Sequence, residues 1–130
     1  MSAYLFDTCF LIDLEREMKR GRGKAHEFLK NNASVRPCIS WTVAGEFAEG
    51  FGDIADPICA AMLARFDILP MDQSTAQQYA VATKHLRALS QLIGTNDLWI
   101  AASALAHQMP IVTTNIAHFT RVPNLSVLAY

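Results

Sequence analysis

Four apolar segments of this 130-residue chain carry an acidic side chain or its amide at one end. The four side chains are Asp7, Glu46, Asp97 and Asn115. An unpaired carboxylate held away from water costs free energy, so acidic groups beside buried segments require a partner. Mg²⁺ and Mn²⁺ prefer hard oxygen ligands and are suitable partners for such a set.

Each of these residues also has an ordinary structural interpretation when it is taken alone. Asp7 could cap the helix that follows it, and Asp97 could complement a helix dipole. Glu46 could be an exposed helix residue, and Asn115 could belong to a turn. A shared metal site replaces four separate explanations with one.

Hydrophobic periodicity predicts alternating strands and helices along the chain. The predicted strands span residues 3–6, 35–40, 67–70, 111–113 and 125–128. The predicted helices span residues 8–19, 24–32, 42–51, 56–65, 74–92 and 96–108, with a turn or short helix at 115–119. This alternation predicts a single domain, residues 1–130, built as a three-layer α/β/α sandwich with a mostly parallel sheet.

Local signals set several of these boundaries. Pro37 predicts an edge position or a strand start, because proline cannot donate a hydrogen bond to a neighbouring strand. Thr42 and Thr95 are predicted helix N-caps. Gly94 is predicted to end the longest helix.

Ligands of a parallel sheet bind beyond the carboxyl ends of its strands. Asp7 and Asn115 directly follow strands, and Glu46 and Asp97 can reach the same edge from the first turns of their helices. Three carboxylates in a small volume repel one another unless a cation joins them. One or two Mg²⁺ or Mn²⁺ ions would polarise a phosphodiester there, with Asn115 as a neutral ligand or a donor to phosphate.

The composition is typical of a folded protein without a membrane segment. Hydrophobic residues make up 52% of the chain, which argues against intrinsic disorder. No apolar run approaches the roughly 20 residues that cross a bilayer, and the N-terminal segment does not resemble a signal peptide. We therefore expect a cytoplasmic protein. Cys9, Cys38 and Cys59 lack metal-binding spacing and are predicted to be small buried apolar residues.

Basic side chains are concentrated between residues 16 and 24. Five of the eleven Lys and Arg residues lie there, namely Arg16, Lys19, Arg20, Arg22 and Lys24. Such a cluster attracts phosphate, although the interleaved Glu15 and Glu17 weaken it. A solvated helix end is the alternative interpretation.

Other residues of chemical interest have plainer explanations. Trp41 and Trp99 are predicted to pack in the core, with stacking on an RNA base as the alternative. The four histidines show no ligand-like spacing. Glu49 lies one turn beyond Glu46 and could support it, and the remaining carboxylates are predicted to be on the surface.

The ordered set of segments resembles the four motifs of PIN-domain nucleases. The segments are Phe6-Asp7-Thr8, Thr42-Val43-Ala44-Gly45-Glu46, Thr95-Asn96-Asp97-Leu98-Trp99-Ile100-Ala101-Ala102, and Val112-Thr113-Thr114-Asn115 with Phe119 beyond it. The order, the spacings and the small size are most similar to the toxins of VapBC-type toxin–antitoxin modules. The resemblance extends from about residue 3 to residue 128.

The resemblance implies roles for particular residues. Asp7, Glu46 and Asp97 would be ligands of Mg²⁺ or Mn²⁺. Asn115 stands where many relatives carry a fourth Asp, which puts a second metal in question. Thr8 and Thr113 would place hydroxyl groups beside the metal ligands.

The resemblance also implies an activity and its partners. Members of the family are metal-dependent endoribonucleases that cut structured RNA, such as tRNA or ribosomal RNA, and so inhibit translation. They form homodimers and bind a cognate antitoxin. Two alternatives remain at this point: a PIN-like module that binds RNA or a partner without cutting, and an aspartyl-phosphate phosphohydrolase, for which Asp7-Thr8-Cys9 lacks the usual second Asp.

Overall fold

The computed structural model describes residues 2–130, and a parallel sheet forms its centre. The strands are β1 (Ala3–Phe6), β2 (Arg36–Ser40), β3 (Asp67–Leu69), β4 (Ile111–Val112) and β5 (Val127–Leu128). They lie in the order β3-β2-β1-β4-β5, and every neighbouring pair is parallel. The predicted three-layer α/β/α architecture is confirmed, because helices flank this sheet.

The helices connect the strands and supply the outer layers. They are α1 (Thr8–Arg20), α2 (Lys24–Asn31), α3 (Trp41–Glu49), α4 (Pro57–Leu63), α5 (Gln73–Ala88), α6 (Thr95–Ala106) and α7 (Ile116–Phe119). Side chains at several N-termini satisfy backbone N–H groups that the helix itself leaves free. Asp56 caps α4 in this way, with Pro57 in its first turn, and Asp72 caps α5.

The strands that follow β1 are added first on one side of it and later on the other side. β2 and β3 are added on one side of β1, and β4 and β5 on the opposite side. The N–H of Asp7 donates to the carbonyl of Val112 at 3.0 Å, which joins the carboxyl ends of β1 and β4. A ligand site is expected at this point, because the strand order reverses there.

Aromatic packing beneath α1 and α2 anchors the central strand. Phe6 lies 4.5 Å from Phe10 between ring centroids, and Phe28 and Phe66 lie within 6 Å of Phe6 in the same way. Phe6 and Phe10 are essentially inaccessible to solvent. This packing fixes β1 against α1, and therefore fixes the direction in which the chain leaves the sheet at Asp7.

Pro37 lies at the start of an interior strand, so the strand-start prediction is confirmed and the edge prediction is wrong. The N–H of Arg36 donates to the carbonyl of Ser2 on the β1 side. Alternation directs the nitrogen of Pro37 to the other side, where β3 begins only at Asp67, opposite Cys38. The missing N–H therefore falls where no neighbouring strand requires it.

Several predicted helix ends are wrong by a few residues. Ser40, not Thr42, caps α3 by accepting a hydrogen bond from the N–H of Val43 at 3.2 Å. Helix α5 ends at Ala88 instead of residue 92, because the chain turns through a positive φ of 55° at Ser90. Gly94 does not end α5. It occupies the N-cap position of α6, so Thr95 is the first helical residue and not the cap.

Two further observations concern the cysteines and the lengths of the helices. Cys38 and Cys59 are buried free thiols, as predicted. Within residues 2–130, no helix is both long and apolar enough to cross a bilayer.

Candidate active site

Asp7 is a buried carboxylate at the junction of the sheet and helix α1. Only 6% of its surface is exposed. One oxygen, Oδ1, accepts a hydrogen bond from the N–H of Thr8 at 2.8 Å, so Asp7 is the N-cap of α1. The other oxygen, Oδ2, accepts from the hydroxyl of Thr113 at 2.7 Å. The predicted cap and the predicted site residue are thus the same residue.

Thr113 holds Asp7 from the end of β4. Its hydroxyl is fully buried and also accepts a hydrogen bond from the N–H of Asn115 at 2.9 Å. The thiol of Cys9 lies 3.6 Å from Asp7 Oδ2 and 3.7 Å from the Thr113 hydroxyl. Cys9 is half-buried and belongs to this polar network, so its prediction as an apolar core residue is wrong.

Glu46 lies on α3 and is held at both carboxylate oxygens. Oε1 accepts a hydrogen bond from the hydroxyl of Thr8 at 2.6 Å. Oε2 accepts a longer bond from the side-chain amide of Asn96 at 3.3 Å. Glu46 therefore links the start of α1 to the start of α6 across the carboxyl edge of the sheet.

Asp97 lies in the first turn of α6, beside a histidine that the sequence did not single out. The N-terminus of α6 has no capping side chain, so its free N–H groups favour an acidic residue here. Asp97 Oδ2 is 3.7 Å from Nδ1 of His118. The Asp97 side chain is 26% exposed and that of His118 is 45% exposed, so solvent reaches both groups.

Asn115 makes its side-chain contact with the same histidine. Its amide nitrogen is 2.9 Å from His118 Nδ1, across the short helix α7. The tautomer of the ring sets the direction of this bond, and the amide is the donor when Nδ1 carries no proton. The amide oxygen of Asn115 is then the atom left to bind another group.

The pKa values of Asp7 and Asp97 are both raised, in part because the acidic groups are close together. Burial raises the pKa of Asp7, and Glu46 raises it further, while hydrogen bonds from Thr113, Thr8 and Cys9 oppose the shift. Burial also raises the pKa of Asp97, and Asp7 and Glu46 add to this, while His118 opposes it. Each aspartate is disfavoured as an anion partly because another carboxylate is near.

The oxygen donors match the preference of Mg²⁺ or Mn²⁺, but they are not drawn together. In residues 2–130, no Lys or Arg forms an ion pair with Asp7, Glu46 or Asp97. A divalent cation would supply the missing positive charge. Within the same residues, no three Asp, Glu, His or Cys side chains lie close enough to enclose an ion. Binding by all three carboxylates therefore requires their side chains to move closer.

The site opens to solvent through a shallow depression beside α6. Its volume is about 430 Å³, and Glu46, Gly94, Asn96 and Asp97 contribute to its wall. A Cβ added at Gly94 would meet open space. Glu46 and Asp97 can therefore be reached from solvent, whereas Asp7 is buried behind them.

The two tryptophans near the site behave differently. Trp99 is half-buried and stacks on Tyr79 with ring centroids 3.9 Å apart, so it packs α6 against α5 and does not enter the buried core, contrary to the prediction. Trp41 is 51% exposed at the start of α3, so its prediction as a core residue is wrong. Glu49 is exposed on the same helix.

Sequence reasoning identified the acidic residues but missed three of their neighbours, namely Cys9, Asn96 and His118. The clue to His118 was its position three residues after Asn115, where a short helix brings the two side chains together. Asn96 directly precedes Asp97, and Cys9 is two residues beyond Asp7. The roles of Asp7, Glu46 and Asp97 as metal ligands, and of Asn115, Thr8 and Thr113 beside them, remain predictions.

Comparison with known proteins places this arrangement in a family. The family model described as PIN domain matches residues 4–125. The chain belongs to the PIN domain family. The resemblance noted in the four sequence motifs is thereby confirmed.

Individual relatives of this PIN domain are ribonucleases by name. Ribonuclease VapC of Rickettsia bellii is 40% identical over 63 residues, which is 48% of this chain and 47% of that protein, so the match spans about half of its length. Ribonuclease VapC1 of Haemophilus influenzae is 27% identical over 125 residues, covering 94% of this chain and 93% of that protein.

The fold is also found in a solved complex. The crystal structure of VapBC2 from Rickettsia felis, bound to a DNA fragment from its promoter, contains a similar chain with a TM-score of 0.83. The two chains are 24% identical, and the match covers 98% of each. At this identity the likeness concerns the fold of the PIN domain alone.

Proposed function

We propose that this PIN domain is a divalent-metal-dependent endoribonuclease that acts as the toxin of a type II toxin–antitoxin module. The observation that carries the proposal is that Asp7, Glu46 and Asp97 lie at one edge of the sheet, where Glu46 raises the pKa of both aspartates, with no paired Lys or Arg among the described residues. The names of the relatives, each a ribonuclease VapC, support the choice of RNA as substrate.

Mg²⁺ or Mn²⁺ would be held by carboxylate oxygens of Asp7, Glu46 and Asp97. When bound, such an ion lowers the pKa of a coordinated water and stabilises negative charge on phosphate oxygens. The protein's own contribution is to hold the ligands: Thr113 orients Asp7, and Thr8 and Asn96 orient Glu46.

The remaining polar groups of the site would contact the RNA. The amide oxygen of Asn115 is free to bind, because the amide nitrogen is engaged by His118. His118 is partly exposed beside Asp97, so its ring would lie next to the bound RNA backbone. Cleavage would leave a 5′-phosphate and a 3′-hydroxyl on a structured RNA such as tRNA or rRNA, and would inhibit translation.

Three partners complete the proposal. The first is the RNA substrate, and the second is a cognate antitoxin that covers the site. The solved VapBC2 complex, whose toxin-like chain shares this fold, supports the second. The third is another copy of this chain in a homodimer, located in the cytoplasm.

The test is cleavage of total RNA with mapping of the new 5′ ends. Wild type with Mg²⁺ or Mn²⁺ should produce discrete ends, and excess EDTA should remove them. Asp7→Ala and Asp97→Ala should abolish cleavage, because each removes a predicted ligand. Glu49→Ala is the matched control, since Glu49 is an exposed carboxylate on the helix that carries Glu46.

Full cleavage in EDTA would refute the metal-dependent mechanism.

One observation favours a second candidate, a PIN-like module that binds RNA without cutting it: the carboxylates are not drawn together into a cluster. Calorimetric titration separates the two. RNA binding with no detectable Mg²⁺ or Mn²⁺ binding would favour the module that only binds.

A further inference from the structure

Positive charge in this chain lies away from the proposed active site. Six of the eleven Lys and Arg residues fall between residues 16 and 30, on helices α1 and α2 and the turn between them. The whole chain has a formal charge of −1. An RNA approaching the acidic site is therefore repelled there, and most of the positive charge that could attract it is elsewhere.

Some of these basic groups are already paired. Arg16 lies 3.5 Å from Asp13, and Lys19 lies 3.0 Å from Glu15, both within α1. Among residues 2–130, no carboxylate lies within 4 Å of the charged groups of Arg20, Arg22, Lys24, Lys30 or Arg65. These five side chains keep their charge available for a ligand.

Three of the five line one concave surface, which we call the basic groove. Arg22, Lys30 and Arg65 lie around a depression of about 510 Å³, together with His26 and Glu27. Arg65 reaches toward α1, where its guanidinium contacts the sulfur of Met18 at 3.8 Å. Three cations face one free carboxylate in the groove, so its surface is net positive.

Among residues 2–130, Glu17 forms no ion pair with the cations of the groove. Its carboxylate accepts hydrogen bonds from the N–H groups of Gly23, Ala25 and His26 and lies 2.8 Å from the His26 ring. Glu17 therefore occupies the N-terminus of α2, and the groove cations remain unpaired beside it. An external anion would meet side-chain charge and not the helix terminus.

The basic groove lies at the opposite edge of the sheet from Asp7. Helix α1 starts beside Asp7 and ends at Arg20, directly before the turn that carries Arg22. Thirteen helical residues span about 20 Å at 1.5 Å per residue. A ligand that touches both places must be an extended polymer.

We propose that the basic groove binds backbone phosphates of the RNA substrate, several nucleotides away from the bond that is cut. This inference rests on the proposed ribonuclease function. At about 3.4 Å per phosphate along one strand, a separation of about 20 Å corresponds to roughly six nucleotides. The groove would supply affinity without sequence preference, because phosphate contacts carry no base information.

The lining of the groove favours RNA over an acidic protein segment. Leu29 is the one aliphatic side chain among the described residues that line it. A docked protein segment would bury apolar side chains in a cleft, whereas a phosphate backbone needs mainly cations.

The experiment measures binding of a fluorescein-labelled 30-nucleotide RNA hairpin in EDTA, where metal-dependent cleavage cannot occur. Arg22→Gln/Lys30→Gln should bind roughly tenfold more weakly than wild type at low salt, with a salt slope smaller by about 1.5, as expected for two lost phosphate contacts. Lys84→Gln/Arg87→Gln is the matched control, because it removes two exposed charges from α5. It should bind within about twofold of wild type.

A second measurement uses cleavage kinetics on the same hairpin with Mn²⁺. The groove touches no reacting atoms, so the groove variant should raise KM and leave kcat unchanged. Groove-dependent binding of the hairpin together with no new 5′ ends in total RNA would refute the ribonuclease function and leave the groove assignment standing.

Three outcomes would overturn the assignment. Equal weakening by both double variants would mean that only net charge matters. Unchanged hairpin binding by the groove variant would mean that the groove does not contact RNA. Groove-dependent binding of a 20-residue polyglutamate peptide, tighter than that of the hairpin, would assign the groove to an acidic protein segment. Melting curves of both variants establish that each remains folded.

Discussion

Asp7 and Glu17 are hydrogen-bonded carboxylates at opposite ends of α1, yet their pKa values shift in opposite directions. The pKa of Asp7 is raised, chiefly by burial. Burial also acts to raise the pKa of Glu17, but hydrogen bonds from His26, Ala25 and Gly23 outweigh it and lower the value to about 2. Burial alone therefore does not determine whether a carboxylate is stable as an anion in this protein.

The difference lies in the neighbours of the two groups. Glu17 receives three backbone N–H groups at the start of α2 and a histidine ring. Asp7 receives one backbone N–H and one strong hydroxyl donor, and Glu46 lies close enough to repel it. The anion of Glu17 is satisfied by the protein and supports the fold. The anion of Asp7 is only partly satisfied and is suited to an external cation.

The largest expected effect is the loss of cleavage in Asp7→Asn. We expect cleavage to fall roughly a thousandfold or more, as when a central catalytic group is removed. In EDTA the variant should melt at or above the wild-type temperature, because it removes a disfavoured charge. Mn²⁺ should raise the melting temperature of wild type but not of the variant. A variant that unfolds would contradict the comparison with Glu17.

Glu17→Gln should show the reverse pattern. We expect the free energy of unfolding at pH 7 to fall by about 1 to 2 kcal/mol, because the variant weakens a helix cap. Cleavage per folded molecule should be unchanged. Chemical denaturation of the variant and of the exposed control Glu49→Gln measures the difference.

The same variant tests the pH dependence. Folding lowers the pKa of Glu17 from 4.5 to about 2. The contribution of this group is therefore fully present above about pH 4.5 and is lost as the pH falls towards 2. Wild type and Glu17→Gln should approach equal stability across that window, and a constant difference down to pH 2 would contradict the assigned role.

His118→Ala should have an intermediate effect on the candidate active site. The ring lies 2.9 Å from the Asn115 amide and 3.7 Å from Asp97, so its removal frees both side chains. We expect Mn²⁺ affinity to fall about tenfold, as is usual for groups that orient metal ligands. Calorimetry on the RNA-free protein measures this. His85→Ala, at an exposed histidine on α5, is the control.

The smallest expected effect is that of Thr8→Val, which removes the hydroxyl that donates to Glu46 at 2.6 Å. Loss of one such bond costs about 0.5 to 1.5 kcal/mol, so we expect kcat/KM and Mn²⁺ affinity to fall about threefold. Thr8→Ser keeps the donor and should behave like wild type. Equal losses in the two variants would assign the effect to packing and not to the hydrogen bond.

The sequence was sufficient to predict the architecture and to predict that the acidic residues lie at one edge of the sheet. Strands β1 and β2 and the polar residues that follow them are local features, and a parallel sheet places them at one edge. Asp7 illustrates this, because its position after β1 follows from the short apolar run before it.

The remaining errors depend on contacts that local patterns do not encode. Ser40 and Thr42 are both good capping residues, and the end of β2 decides which one is used. The contact of His118 with Asp97 depends on how α7 lies against α6, across 21 residues of chain. The polar partners of Cys9 include Thr113, which is 104 residues away. These pairings appear only after the sheet has brought β4 beside β1.

The hydrogen bond from Thr113 to Asp7 joins residues 106 positions apart and has a consequence for timing. A ribosome makes the chain from its N-terminus, so Asp7, Glu46 and Asp97 are all made before Thr113, Asn115 and His118. β1 cannot acquire β4 as a neighbour until those last residues are available. The growing polypeptide therefore carries its acidic residues unassembled until β4 has been made, and the predicted site becomes complete only after that strand has left the ribosome.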